Sequence, residues 1–93
     1  MENIITEEKL KKYFSLTEKA LAIAKKSIFA GKEKEAKEII EMTSCYLSDA
    51  GHFEKKKDFV NAFACLNYAH GWIDSGARLR IFNVSDNKLF TTA

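Results

Sequence analysis

Apolar and small side chains recur along the first third of the chain at Leu10, Phe14, Thr17, Leu21, Ala24 and Ile28, alternating steps of four and three. That period lays them along one stripe of an α-helix, the face that turns toward a core. Thr6 stands just before this pattern and offers a hydroxyl to a free backbone N–H, while Glu7 and Glu8 sit where the positive end of the helix dipole falls. Ile5 is spaced to clamp Leu10 across the helix start. Gly31 is the first residue suited to stop the helix, with Lys25 and Lys26 near its negative end. The pattern therefore predicts a first helix over about 7–30, roughly 36 Å long at 1.5 Å per residue.

A second stripe runs through Ala36, Ile39, Ile40, Thr43, Tyr46, Leu47, Ala50 and Phe53, with Lys34, Lys37, Glu38, Glu41 and Ser48 opposite. Its phase carries across Gly51, so the second helix is predicted over 33–54. Asp58 is placed to cap a third helix over 58–82. That helix differs in kind, since Phe59, Val60, Phe63, Cys65, Leu66, Tyr68, Trp72, Ile73, Leu79 and Ile81 reach nearly all round it. A helix apolar on every side asks to be covered on every side. Its two neighbours leave a face over, which points to self-association or a protein partner, with Leu16, Ile23 and Trp72 as interface candidates. Residues 83–93 read as turn residues followed by Leu89 and Phe90, a short extended tail that docks on the bundle.

Composition sharpens this outline. With no proline and four glycines in 93 residues, the chain lacks the turn residues that a small sheet protein needs. The expected architecture is a single all-α domain over 1–93, an antiparallel three-helix bundle with a C-terminal extended tail. Fifteen basic and thirteen acidic residues leave a net charge of +2, too balanced for a nucleic-acid or anionic-membrane surface. No window approaches the roughly 20 apolar residues of a membrane span. The first residues carry no basic start and apolar run of a secretion signal, so a cytoplasmic setting is expected, with Cys45 and Cys65 as reduced thiols.

Four polar residues interrupt the apolar third helix. At 100° per residue, Asn67, His70, Asp74 and Arg78 fall within a sector of about 80°. Their steps of three, four and four make successive side chains neighbours. Asp74 can then accept from His70 on one side and Arg78 on the other, with Asn67 serving the second imidazole nitrogen. Gly71 leaves open space beside them. Three readings stand. The leading one is a structural network of mutually paired polar groups that fixes helix register or a dimer interface. The second is a ligand site in which Arg78, Arg80 and His70 donate to a phosphate or carboxylate. The third is a metal site, His70 and Asp74 being joined by Asp49 or His52 from the second helix, with Tyr46 alongside. No nucleophile–base pair or nucleotide-binding motif is present, and no catalytic residue, resident metal or cofactor is expected. A non-enzymatic interaction or oligomerisation module is the preferred function, a small-ligand domain built on His70, Asp74 and Arg78 the alternative.

The string Tyr68-Ala69-His70-Gly71-Trp72-Ile73-Asp74-Ser75-Gly76-Ala77-Arg78, within Asn61–Leu79, resembles the core motif of an archaeal family called domain of unknown function 357. Tyr46-Leu47-Ser48-Asp49-Ala50-Gly51-His52-Phe53 and Leu89-Phe90 share the resemblance, which covers nearly the whole chain. It implies a helical bundle, an archaeal source and an intracellular setting, and no established activity. It also marks Asn61, His70, Gly71, Trp72, Asp74 and Arg78 as residues of interest. The turn before the third helix departs from the family pattern, with Lys57-Asp58 where Gly-Asp is expected.

Overall fold

The computed structural model describes residues 4–84. Three helices follow one another: α1 (Glu7–Lys25), α2 (Glu33–Lys55) and α3 (Phe59–Arg78). They pack side by side as an antiparallel three-helix bundle, α3 lying mainly against α2 and less closely against α1. Among the described residues, no helix is long and apolar enough to cross a membrane.

The helix starts follow the sequence. The Thr6 hydroxyl accepts from the Lys9 N–H at 3.1 Å, and Ile5 packs against the cluster that holds Leu10. Asp58 accepts from the Asn61 N–H at 3.2 Å and from the Asn61 amide at 2.7 Å. The stripes meet in two adjoining clusters. Leu10, Ala50, Ala62 and Leu66 fill one, and Ala20, Leu21, Ala24, Ala36, Ile39, Ile73, Ala77, Ile81 and Phe82 the other.

The ends depart from expectation. α1 stops at Lys25 rather than running to residue 30, and α3 stops at Arg78 rather than at 82. Both lost segments pair with each other instead. The Phe29 N–H donates to the Ile81 carbonyl at 2.9 Å, the Asn83 N–H donates to the Ser27 carbonyl at 2.6 Å, and Ile28 faces Phe82 in an antiparallel bridge. Ile28 keeps the apolar spacing of α1, and α3 is apolar nearly all round up to its end, so period alone cannot distinguish this bridge from another helical turn. Gly31, at φ +87°, turns the chain after the bridge instead of ending α1.

α2 and α3 end alike. Asp58 donates to the Phe53 carbonyl and Lys57 to that of Glu54; Ile81 donates to the Gly76 carbonyl and Arg80 to that of Ala77. This paired closure puts one residue in the left-handed region, where glycine is favoured. Here those residues are Lys57 at φ 60° and Arg80 at φ 61°. Lys57 is thus the position where the resemblance led to an expected glycine. A β-carbon in that region costs on the order of 1 kcal/mol. Lys57→Gly is therefore expected to stabilise the fold by about 0.5–1 kcal/mol, read from urea denaturation midpoints.

The surplus apolar face of α3 is real. Val60, Tyr68 and Leu79 are 70%, 63% and 69% exposed. Gly71, Ser75 and Arg78 are exposed with them.

Candidate functional site

His70 does not turn to its own helix for its first partner. Its Nδ1 lies 3.3 Å from the Thr17 hydroxyl oxygen of α1, 53 positions away in sequence. Thr17 is 2% exposed, and its hydroxyl donates to the Tyr13 carbonyl one turn back at 3.0 Å. With that proton directed to Tyr13, Oγ1 can accept from a protonated Nδ1. On the other side Nε2 stands 3.6 Å from the Asp74 Oδ1, with both side chains about a quarter to a third exposed (30% and 25%). The imidazole thus ties α1 to α3 and turns its far edge toward a carboxylate. Thr17→Val keeps shape and burial while removing both contacts. It is expected to cost about 1–2 kcal/mol in denaturation and to move the His70 ring resonances.

These residues line a groove of about 320 Å³ between α1 and α3. Tyr13, Leu16 and Thr17 form one wall; Leu66, Asn67, His70, Gly71 and Asp74 form the other. Tyr13 also meets Phe63 edge to face, with ring centroids 5.1 Å apart, and Lys9 lies over that Phe63 ring at 5.9 Å. A β-carbon on Gly71 would meet nothing within 4 Å, so this part of the α3 wall is open.

The expected chain of polar contacts forms only in part. Asn67 is exposed on the groove wall, and it is Thr17 rather than Asn67 that faces the Nδ1 of His70. Among the described residues no ion pair joins Asp74 to Arg78. Arg78 instead lines a second cleft, of about 190 Å³, with Phe29, Ala77, Arg80, Phe82, Asn83 and Val84. The second-helix contributors lie elsewhere. Tyr46 stacks on Tyr68 with centroids 5.4 Å apart, and His52 is exposed beside Phe53. Asp49 acts on Cys65, whose thiol is pushed above its ordinary value by burial first and by the Asp49 charge second. Cys65 is five positions from His70 and falls on the opposite flank of α3, so these residues do not converge on His70 and Asp74. Among the described residues, no group of three or more His, Cys, Asp or Glu side chains is placed to share a metal ion. Of the interface candidates, Leu16 borders the groove, Ile23 packs against the core, and Trp72 packs against the same core from the flank of α3 away from His70. Leu89 and Phe90 lie outside the described residues.

Thr17 entered the sequence reading only as a stripe position, and Tyr13 did not enter it. The available signal was a threonine among apolar stripe residues. Thr43 carries the same signal, but its hydroxyl is satisfied by the Ile39 carbonyl at 2.8 Å and it meets no histidine. The choice between the two threonines is made by packing.

A helical bundle with this groove-lining motif on its third helix defines the class. A family profile described as "Protein of unknown function (DUF357)" matches residues 12–82, and the chain belongs to that family. No curated protein and no solved structure matches the chain at the significance required.

Proposed function

We propose that the chain is a non-enzymatic interaction module and that the α1–α3 groove is its docking surface. The occupant that fits is an extended segment of a partner protein, carrying an aromatic or leucine side chain beside a basic residue. One observation carries this reading: the wall at Gly71 is open, between the apolar side chains of Leu16, Leu66 and Tyr13 and the carboxylate of Asp74. A volume of about 320 Å³ sits at the bottom of the range for small-molecule sites, suited to one large side chain rather than a whole nucleotide. Asp74 places a negative charge at the rim, which favours a basic neighbour and repels a phosphate. The phosphate alternative loses its main donor here, since Arg78 lines the other cleft. The half-exposed rim around an apolar floor follows the usual build of a peptide-recognition groove.

The test is a library of ten-residue peptides offered to the full chain, followed by titration of the best binders under NMR. The expected binders pair Phe, Trp or Leu with Lys or Arg, move the methyls of Leu16 and Leu66 and the His70 ring, and weaken with Asp74→Asn. Binders that map to the exposed Val60–Tyr68–Leu79 face, or self-association through that face in light scattering, would place the interaction elsewhere. Absence of any binder at millimolar peptide would remove the reading.

A further inference from the structure

The second cleft lies at the end of the bundle where the 27–29 and 81–83 segments pair. Two guanidinium groups, Arg78 and Arg80, line it together, and among the described residues no carboxylate lines it. Among the described residues neither arginine makes an ion pair. Two like charges bordering one space of about 190 Å³ repel each other unless an anion lies between them. Part of their presence is explained by the helix end, since cations favour the negative pole of α3. That pole accounts for a charge near the end, not for two turned toward one cleft.

Arg80 is also held in an unfavourable backbone position. Its φ of 61° belongs to the region where glycine closes a helix at no cost. Its guanidinium lies over the Phe29 ring, 5.2 Å from the centroid. Stacking on an aromatic face fixes the plane of an arginine while leaving its edge donors open. Asn83, exposed at the same cleft, adds an amide, its own N–H being already engaged with Ser27. Phe82, Val84 and Ala77 supply an apolar side.

We propose that Arg78 and Arg80 form a binding site for a small organic oxyanion, a phosphate monoester or a carboxylate carried on an apolar body. The two guanidiniums grip the oxygens with paired N–H donors, and the apolar side of the cleft covers the attached group. This site is separate from the α1–α3 groove and does not depend on it. Its volume admits a headgroup and a ring, not a nucleotide.

Phenyl phosphate, inorganic phosphate and benzoate are the probes, each titrated into the full chain at constant ionic strength and followed by NMR. The expected result is saturable movement of the Arg78 and Arg80 side-chain N–H signals and of the Asn83 amide, with Arg78→Ala weakening binding at least tenfold. Preference for phenyl phosphate assigns a phosphate ester, and preference for benzoate assigns a carboxylate. Arg80→Gly separates site from scaffold: it relieves the left-handed strain, so the melting temperature should rise while binding falls at least tenfold. Arg80→Lys keeps the charge, loses the fork and should bind weakly, which preserves the test if the glycine variant folds poorly. Shifts reproduced in full by sodium chloride, or undiminished affinity in Arg80→Gly and Arg78→Ala, would overturn the site.

Discussion

Phe82→Ala is expected to cost about 3–5 kcal/mol, the range for emptying a fully buried aromatic position. Phe82 is 1% exposed and, among the described residues, is the largest side chain buried so completely. It lies beyond the last helix, yet it belongs to the larger core cluster with Ile39, Ile73 and Ile81. Its backbone holds the chain end in place as well, through the bridge to Ile28 and the N–H donated to the Gly76 carbonyl. A chain of this size has roughly 5–14 kcal/mol of stability in all, so the loss takes a large share of it. The melting temperature should drop by on the order of 20 °C. Loss below about 1 kcal/mol, measured by urea denaturation, would mean that the 79–84 segment is not part of the cooperative core.

The second large effect comes from the residue that receives this ring. A β-carbon at Gly76 would come within 2.6 Å of the Phe82 Cδ2, closer still to its neighbour Cε2, and 3.2 Å from the Ile39 Cδ1. Gly76→Ala gains helix propensity worth about 1 kcal/mol, but it forces Phe82 and the returning chain outward. Overpacking of this kind costs about 1–3 kcal/mol or more, and since the obstacle is a buried ring rather than a flexible tip, the loss wins. The two substitutions should therefore be coupled. With Phe82→Ala already present, the space is free and Gly76→Ala should be neutral or stabilising. A double-mutant cycle is expected to show a coupling of about 2 kcal/mol, whereas simple additivity would contradict the packing of Phe82 against Gly76.

Sequence made the helices legible because each core stripe keeps one period over several turns and two of the three starts carry a local cap, at Thr6 and Asp58. The ends were not legible. Ile28 fits the helical period as well as a bridge, the apolar circumference of α3 gives no stop before Phe82, and only the distant pairing of the two decides. The departure at Lys57 did carry information, since the position where the resemblance led to an expected glycine is left-handed at φ 60°. The site was half visible. Helical spacing brought His70, Gly71 and Asp74 to one side of α3, and the structure keeps them together on one groove wall. It could not supply Thr17, whose contact with His70 bridges two helices. Nor could it divide Arg78 from Asp74: both sit on the same sector, but a long side chain at the end of a helix chooses between two clefts by what lies beyond that end.

Gly71→Leu, carried through both folding and binding measurements, tests the docking groove most directly. Nothing lies within 4 Å of the added β-carbon, and leucine is a better helix former than glycine by roughly 1 kcal/mol. The account predicts a protein within about 1 kcal/mol of the parent or better in denaturation, with affinity for the groove-binding peptides reduced at least tenfold because the leucine fills the space. Full retention of that affinity would contradict the proposed docking surface.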